Sequence, residues 1–334
     1  MVGEHELSAH PVPRRLRRHQ HRVRAAVAAG HDVAVLNRGS RSRPLPEGVR
    51  ELTADVRDGD AVRGAIGGDR FDVVADFLSF TPDHVETTLS AVGSPAQYIF
   101  ISSASAYQKP PRRLPVTEST PLHNPYWQYS RDKIACEDLL VQRSRRHELP
   151  MTIVRPSHTY DDTLLPTLAG WTDIARMRAG KPVVIHGDGT TPWTITHADD
   201  FAVAFTGLLG HPAAIGDSFT ITGTHAPTWN DIYGWLADAA GVADPRFVHV
   251  ASETIARWSP NLGPTLLGDK AHPMVFDSAK VTALVPEFRT RVTFDEGARR
   301  MIAFHDAHPE RRRVDADLDA LFDRMIAHAD AAGV

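Results

Sequence analysis

A tyrosine and a lysine four residues apart, Tyr129 and Lys133, form the pair in this sequence best suited to chemistry. If their segment is helical, both side chains lie on one helical face. An ammonium group beside a phenol stabilises the phenolate and lowers the tyrosine pKa, so Tyr129 could act as a general acid or base near neutral pH. Most pairs at this spacing are ordinary surface residues, so the assignment depends on the surroundings.

Two serines strengthen the assignment. Ser102 and Ser103 follow the apolar run Gln97–Ile101, which predicts a buried strand. Ligands of doubly wound sheets bind at the carboxyl ends of such strands, where a serine hydroxyl could hydrogen-bond a substrate hydroxyl or carbonyl. The alternative is that the two serines only end a strand and begin a turn.

The elements around these residues alternate between short apolar runs and helical segments. The pattern predicts strands and helices in turn from Ala25 onward: a helix ending at Ala25–Ala29, strands at Asp32–Leu36 and Val49–Thr53, a helix at Asp58–Ile66, a strand at Phe71–Phe77, a helix at Pro82–Val92, a strand at Gln97–Ser102, a helix at Ser130–His147 and a strand at Met151–Val154. Continuously apolar strands alternating with helices indicate a parallel sheet covered on both faces, which is a doubly wound, Rossmann-type α/β domain. After Pro156 the rhythm breaks, which predicts a smaller C-terminal substrate lobe that returns a strand to the sheet.

Four segments carry a resemblance to a known family. They are Ile99–Tyr107, Tyr129–Lys133, Val154–Pro156 and Thr196–Ala202, in that order along the chain. Together they resemble the extended short-chain dehydrogenase/reductase family, in its NAD(P)-dependent epimerase/dehydratase branch. The resemblance extends from about Ala25 to about Phe304. It is strong for the fold and weak for the substrate.

The resemblance implies roles for individual residues. Ser103 would orient the substrate, Tyr129 would be the general acid/base, and Lys133 would bind the nicotinamide ribose and lower the tyrosine pKa. Ser102 would lie beside the cofactor and Ser105 beside the substrate. In such enzymes the cofactor carries the hydride and the protein supplies placement and electrostatics.

The residues after the first predicted strand bear on the choice of cofactor. An acidic residue at this position binds the ribose 2′-hydroxyl of NAD, whereas an arginine accommodates the 2′-phosphate of NADP. Here Asn37 and Arg38 follow the strand, and Arg41 and Arg43 are close in sequence. The pattern favours NADP over NAD, with a solvated basic loop as the alternative. The resemblance adds further cofactor contacts at Asp55 and Val56 for the adenine, at Phe77 and Leu78 along the cofactor, and at Pro156 near the nicotinamide.

The first 24 residues differ from the rest. They contain six arginines and two glutamates, a local charge of +4 within a chain of net charge −4. The family resemblance implies a strand and a glycine-rich phosphate-binding loop here, but Pro11–Arg18 contains two prolines and no glycine. Three explanations remain open: a shifted reading frame or wrong start, divergence to an inactive relative, and a basic arm for nucleic acid or an acidic partner. Under the first two, the chain as written should bind NADP poorly.

The substrate lobe offers weaker signals. Trp193 occupies the position where nucleotide-sugar enzymes of the family usually carry an arginine, so it could stack on a sugar or simply pack in the core. His158, Lys270 and His272 are further candidates for substrate contact. Histidine and cysteine spacings typical of zinc sites are absent from the sequence, so we expect no metal.

These observations predict three segments: an atypical basic segment at 1–24, an NAD(P)-binding domain at 25–156 and a substrate lobe at 157–334. The predicted function is an NAD(P)-dependent epimerase, dehydratase or reductase acting on a hydroxyl or carbonyl carbon of a sugar-like metabolite. The alternative is an impaired relative that binds RNA or protein. The composition, with 42% hydrophobic residues and one cysteine, excludes a disordered or disulfide-rich protein and favours the cytoplasm. We expect no membrane segment and, because the net charge is negative, no nucleic-acid partner bound by the chain as a whole. We also expect a homodimer through the helices Pro82–Val92 and Ser130–His147.

Overall fold

The computed structural model describes residues 19–39 and 45–332 of the chain. Its N-terminal part contains parallel strands in two sheets. Strands β1 (Ala34–Asn37) and β2 (Arg50–Thr53) form one sheet. The second sheet has the order β3-β4-β5-β9, all parallel, with β3 at Val73–Asp76, β4 at Gln97–Ile101, β5 at Met151–Pro156 and β9 at Asp217–Ile221. This is a Rossmann-like α/β fold, as the sequence predicted.

Helices cover the sheets, and the first four are α1 (His19–Ala28), α2 (Gly59–Ile66), α3 (Pro82–Val92) and α4 (Gln128–Arg145). Local chemistry sets their limits. Asp58 accepts hydrogen bonds from the backbone N–H groups of residues 60 and 61 and so caps α2, while Gly67 ends it in the left-handed conformation. Pro82 opens α3, where its missing N–H costs no helical hydrogen bond.

Helix α1 begins at His19 and ends at Ala28, within the segment where the sequence predicted its end. Residues 19–24 therefore belong to a helix packed against α6 (Ala198–Leu208), although the sequence analysis assigned them to the atypical segment. Arg22 makes much of this packing: its guanidinium lies 4.6 Å from the ring centre of Phe77 and 4.4 Å from that of Phe201. The prediction for Pro11–Arg18, including the missing glycine loop, lies outside the described residues, as do Arg41 and Arg43.

The C-terminal lobe is built on two further pairs of parallel strands. Strand β6 (His158–Tyr160) pairs with β8 (Ile195–His197), and β7 (Val183–His186) pairs with β10 (Phe247–Val250). Strand β9 pairs with β5 and so returns the chain to the main sheet, as expected. The lobe's helices are α5 (Trp171–Arg178), α6, α7 (Trp229–Ala239), α8 (Ser252–Trp258), the single turn α9 (Gly263–Thr265), α10 (Ala279–Leu284), α11 (Phe294–Ala307) and α12 (Ala316–Ala332).

Helix α6 begins at Ala198, and its cap is the His197 side chain, which accepts a hydrogen bond from the Asp199 backbone N–H. Asp200 accepts backbone hydrogen bonds from Arg291 and Val292. It therefore ties α6 to the segment that leads into α11.

The apolar core continues from the sheets into the lobe. Strand β4 is buried along its full length, and one cluster packs β4 and β5 residues against Cys136 and Leu140 of α4. Cys136 is fully buried, and burial raises the pKa of its thiol to about 12. Across residues 19–39 and 45–332, no helix is both long and apolar enough to cross a membrane.

Candidate active site

The turn after β4 presents one accessible serine. Ser103 caps a short 3₁₀ turn at Ala104–Ala106, accepting a hydrogen bond from the Ser105 backbone N–H at 3.2 Å. Its hydroxyl lies 2.9 Å from that of Ser105, and the hydroxyl of Ser130 donates to Ser105 at 2.8 Å. Ser105 and Ser130 are buried, whereas Ser103 is only partly buried. Ser103 is thus the accessible end of a chain of hydroxyls that joins the serine turn to α4.

Helix α4 turns Tyr129 and Lys133 toward the sheet. Both are buried, and they share one face with Cys136, Glu137 and Leu140, as their spacing predicted. The Lys133 ammonium donates to the carbonyl oxygens of Ser79 at 2.6 Å and Ile101 at 2.7 Å. These carbonyls follow β3 and end β4, so Lys133 is fixed at the carboxyl edge of the sheet, where ligands of this fold bind.

Aromatic rings surround this pair. The Tyr129 ring centre lies 4.9 Å from that of Trp127 and 6.2 Å from that of Phe80. The Lys133 ammonium lies 5.0 Å from the centre of Phe80 and 4.4 Å from that of Phe100. Rings this close restrict the rotamers of Tyr129 and Lys133 and limit access of water to both groups.

A buried ion pair lies one helical turn beyond Lys133. The Arg155 guanidinium donates to the Glu137 carboxylate at 2.5 Å and 3.0 Å, and to the Tyr107 hydroxyl at 3.1 Å. Ser102 donates to the same carboxylate. The hydroxyl predicted to lie beside the cofactor is therefore engaged by Glu137, and the Ser102 backbone N–H donates to the Val154 carbonyl at 2.8 Å.

The loop after β3 has its own support. One carboxylate oxygen of Asp76 accepts from the backbone N–H groups of Leu78 and Ser79, each at 2.9 Å. The other oxygen accepts from the Tyr98 hydroxyl at 2.6 Å, and burial together with Asp76 raises the pKa of that phenol. Phe77 directs its ring toward Phe205, 5.3 Å away, so any contact of Phe77 with a ligand falls to its backbone.

Two arginines flank Asp55 at the carboxyl ends of β1 and β2. Arg38, with its side chain 62% exposed, lies 3.8 Å from the Asp55 carboxylate. Arg57 donates to the Leu78 carbonyl at 2.6 Å, and burial lowers the pKa of its guanidinium against the raising influence of Asp76 and Asp55. Val56, which lies between Asp55 and Arg57 in the sequence, is half-buried. Asn37 instead supports the loop, because its side chain donates to Glu51 and accepts from the Gly39 backbone N–H.

Trp193 lies in the core of the lobe rather than on an open surface. It is 1% exposed, and its ring centre lies 4.6 Å from that of Trp229 and 4.8 Å from that of His158. The Lys270 ammonium lies 4.9 Å from the same ring. Of the two interpretations left open by the sequence, this arrangement favours packing over stacking on a substrate.

Of the remaining lobe candidates, Lys270 ends a π-helical turn, Leu266–Lys270, and His272 lies just beyond it. The Lys270 carbonyl accepts from the Trp229 indole at 3.1 Å, and a His186 ring nitrogen lies 3.2 Å from it. The His272 ring lies 2.8 Å from the Leu267 carbonyl, and burial lowers the pKa of His272. Single π-helical turns occur often at functional sites. No group of three or more potential metal ligands lies together in residues 19–39 and 45–332.

Several residues of this site escaped sequence reasoning. Arg57 carried a weak signal, since it follows Asp55 and Val56 directly. Phe80 and Trp127 gave none, because an aromatic ring beside a catalytic pair cannot be told from core packing in a sequence. Lys109 and Asn124, considered below, depend on contacts with residues more than 140 positions away.

Comparison with known proteins identifies the family. Residues 20–222 match the model of the NAD dependent epimerase/dehydratase family, and the chain belongs to that family. The match begins within the segment assigned to residues 1–24, in agreement with the start of α1 at His19.

Three known proteins illustrate the similarity. A 2′-dehydrokanamycin reductase from Streptomyces kanamyceticus is 30% identical over 66% of this chain and 62% of its own length. The chloroplast stem-loop binding protein of 41 kDa b from Arabidopsis thaliana is 28% identical over 68% of this chain and 61% of its own. The match thus spans about three fifths of each relative. The structure of UDP-glucose 4-epimerase from Bifidobacterium longum, in complex with NAD+ and UDP, has a TM-score of 0.68 at 17% identity, covering 88% of this chain and 96% of that one.

Proposed function

We propose that this protein is an NADP-dependent oxidoreductase of the family that reduces or oxidises a carbonyl or hydroxyl carbon of a sugar-like, polyhydroxylated metabolite. The observation that carries the proposal is the junction of the serine turn with α4. The Ser130–Ser105–Ser103 hydroxyl chain brings the accessible Ser103 beside the helix that holds Tyr129 and Lys133 at the carboxyl edge of the sheet.

The residues present fit a dinucleotide in the part of the chain that the structure describes. We expect Lys133, held by the Ser79 and Ile101 carbonyls at the carboxyl edge of the sheet, to bind the nicotinamide ribose, and Asp55 and Val56 to contact the adenine. Arg38 and Arg57 place two positive charges beside the same loop, which suits a 2′-phosphate better than a bare 2′-hydroxyl. The bound nicotinamide would supply or accept the hydride.

The chain's own residues would handle the proton. In the reducing direction Tyr129 donates its phenolic proton to the substrate oxygen, and Ser103 donates a hydrogen bond to the same oxygen. Lys133 stabilises the phenolate that remains. The rings of Trp127 and Phe80 hold Tyr129 in place and keep bulk water from this step. Similarity to a protein named 2′-dehydrokanamycin reductase supports a carbonyl on a sugar ring as the reacting group.

The decisive experiment compares two tyrosines three residues apart. Turnover of reduced NADP with a panel of keto-sugars is measured for the wild type, Tyr129→Phe and Tyr126→Phe. Tyr126 is 44% exposed and serves as the matched control. We expect Tyr129→Phe to lose at least 100-fold in kcat, in the range of general acid–base catalysis, with the control unchanged. Equal turnover in Tyr129→Phe and the wild type would refute the proposed role.

Two observations favour a second function, binding of RNA. The Arabidopsis relative is named a stem-loop binding protein, and the first 24 residues of this chain are strongly basic. An RNA-binding role for this segment requires affinity that falls steeply with salt and is lost when residues 1–24 are removed. Binding that resists salt and survives the truncation would exclude it.

We also propose a homodimer that uses the outer surfaces of α3 and α4. The two helices are held together on one surface by an ion pair between Arg143 and Glu86 at 2.5 Å. Analytical ultracentrifugation of the full chain tests the proposal, because a monomeric mass at micromolar concentration would contradict it. We further propose a cytoplasmic location, because a chain with a single cysteine forms no intramolecular disulfide and suits a reducing compartment.

A further inference from the structure

Two buried side chains bridge the serine turn to the π-helical turn. Lys109 donates to the Ala104 carbonyl at 3.4 Å, and its ammonium lies 3.8 Å from the Asp269 carboxylate. Asn124 donates to the Ser105 carbonyl at 2.8 Å and to the Gly268 carbonyl at 2.7 Å. Successive residues of the serine turn are thus joined to successive residues of the π-helical turn.

Lys109 occupies an unusual position for a lysine. Its side chain is fully buried, yet its contacts are all long or weak: a carbonyl at 3.4 Å, a carboxylate at 3.8 Å and the Met274 sulfur at 3.2 Å. A buried ammonium with such partners pays a desolvation cost that short hydrogen bonds would normally offset. Maximum stability does not explain a lysine here, since a methionine of similar length would fill the space without that cost.

Asn124 extends the bridge to the helix that carries Tyr129. Its side-chain oxygen accepts from the backbone N–H groups of Tyr126 at 3.1 Å and Trp127 at 3.2 Å, just before α4 begins. The same residue therefore holds the serine turn, the π-helical turn and the start of α4. A change in position of any one of these segments is transmitted to the other two.

The contact between the π-helical turn and α4 is also close. A Cβ atom added to Gly268 would lie 2.8 Å from the Trp127 Cβ and 3.3 Å from the Asn124 side-chain oxygen. Such distances leave no room for a side chain at this position. The turn is seated against the residue whose ring packs on Tyr129.

We propose that Lys109 and Asn124 are positioning residues for the reaction, holding the π-helical turn of the substrate lobe in register with the serine turn so that Ser103 is aligned with the substrate. This proposal rests on the proposed function, because it assigns the bridge to the same site. It gives the substrate lobe a direct mechanical connection to the catalytic serine. Neither side chain needs to touch the substrate.

The bridge through Lys109 makes activity depend on pH in a particular way. Burial, opposed by Asp269, lowers the pKa of Lys109 to about 8. The charged or titratable groups that face the ammonium are Asp269 in the π-helical turn and His272 just beyond it, whose own pKa Lys109 helps to lower. From the serine turn and the Met274 segment it meets only a carbonyl and a thioether. Raising the pH through about 8 removes a proton from the Lys109 ammonium and ends its attraction to Asp269. The π-helical turn is then held less firmly against the serine turn.

The test compares Lys109→Met with Lys181→Met, a surface lysine paired with Asp319 and Asp323. We expect Lys109→Met to lower kcat at pH 7 by at least 10-fold with the Kd for NADP unchanged, while its Tm is equal to or above that of the wild type. The control should match the wild type in kcat and in Tm. The fall in wild-type kcat around pH 8 should disappear in Lys109→Met. Unchanged kcat, or a lower kcat together with a lower Tm in a variant that still folds, would overturn the proposal.

A second variant covers the case in which Lys109→Met does not fold. Asp269→Asn removes the same attraction by changing the partly exposed partner of Lys109. This variant should show a similar loss in kcat, and its kcat should not fall around pH 8. Combined with Lys109→Met, it should add no further loss, whereas multiplied losses would contradict a shared bridge. If Tyr129→Phe keeps full turnover, the proposed function fails. If Tyr129→Phe abolishes turnover while Lys109→Met and Asp269→Asn keep it, only the positioning proposal fails.

Discussion

Removal of the buried guanidinium of Arg155 should destabilise the fold and disturb the site together. Arg155→Met leaves the Glu137 carboxylate, whose side chain is 2% exposed, with a hydrogen bond from the Ser102 hydroxyl but without its cationic partner. Burial alone would lower the pKa of Arg155, but hydrogen bonding and attraction from Glu137 outweigh it and raise the pKa. The carboxylate left behind would be an uncompensated buried charge.

The magnitude follows from this burial. Breaking a buried pair by removing one partner costs about 3–5 kcal/mol. With an unfolding entropy of about 2.1 cal/mol/K per residue over 334 residues, the Tm should fall by roughly 4–7 °C. Because Glu137 follows Lys133 by one helical turn and engages the residue before Ser103, we also expect kcat to fall.

Thermal and urea unfolding, with turnover measured on the same samples, test this reasoning. Arg299→Met removes an exposed ion-paired arginine and serves as the control, because exposed ion pairs contribute little to stability. Adding Glu137→Gln to Arg155→Met removes the stranded charge and should recover part of the lost stability. A single variant as stable as the control, or a double variant less stable than the single, would refute the account.

Three further predictions follow from separate features. Arg38→Ala should weaken NADP binding about 10-fold, as expected for one lost charged hydrogen bond of about 1.5 kcal/mol, and leave NAD binding unchanged; fluorescence titration with both cofactors checks this, and equal losses would contradict a phosphate contact. Burial raises the pKa of Asp173 to about 6, so this group costs stability as the pH rises from about 4 through 6; Asp173→Asn should therefore raise the Tm at pH 7 and not at pH 4. Gly268→Ala should lower kcat at least 10-fold, because the added Cβ would clash with the Cβ of Trp127. The control is Gly234→Ala in α7, which should leave kcat unchanged because nothing lies within 4 Å of the added atom.

The order of elements in the N-terminal part was predictable from the sequence. The helix Pro82–Val92 agrees at both ends, and β4 and α4 agree within two residues, because continuous apolar runs and helical spacing are local signals. The start of α1 was missed because its packing uses an arginine between two aromatic rings, and arginine carries no apolar pattern. The π-helical turn was missed because it is fixed by side chains distant in sequence.

The site was predictable where motifs are short and local. The spacing of Tyr129 and Lys133 placed both on one helical face, and the structure shows them there. The role of Trp193 could not be decided in this way, since stacking on a substrate and packing in a core require the same residue type. Burial distinguishes the two, and burial is a property of the folded chain. The roles assigned to Ser103, Tyr129 and Lys133 stay predictions until the variants are measured.

The single cysteine gives this protein a built-in reporter. Cys136 lies on α4 between Lys133 and Glu137, fully buried and with its thiol pKa raised to about 12. Because the thiol is buried, a thiol reagent can reach it only when α4 leaves the sheet. The raised pKa also keeps the thiol protonated in the folded protein, and the thiolate is the reactive form. The rate of labelling therefore measures how often the catalytic helix opens, without any engineered probe. Slower labelling on addition of a nicotinamide cofactor would report binding at this edge of the sheet.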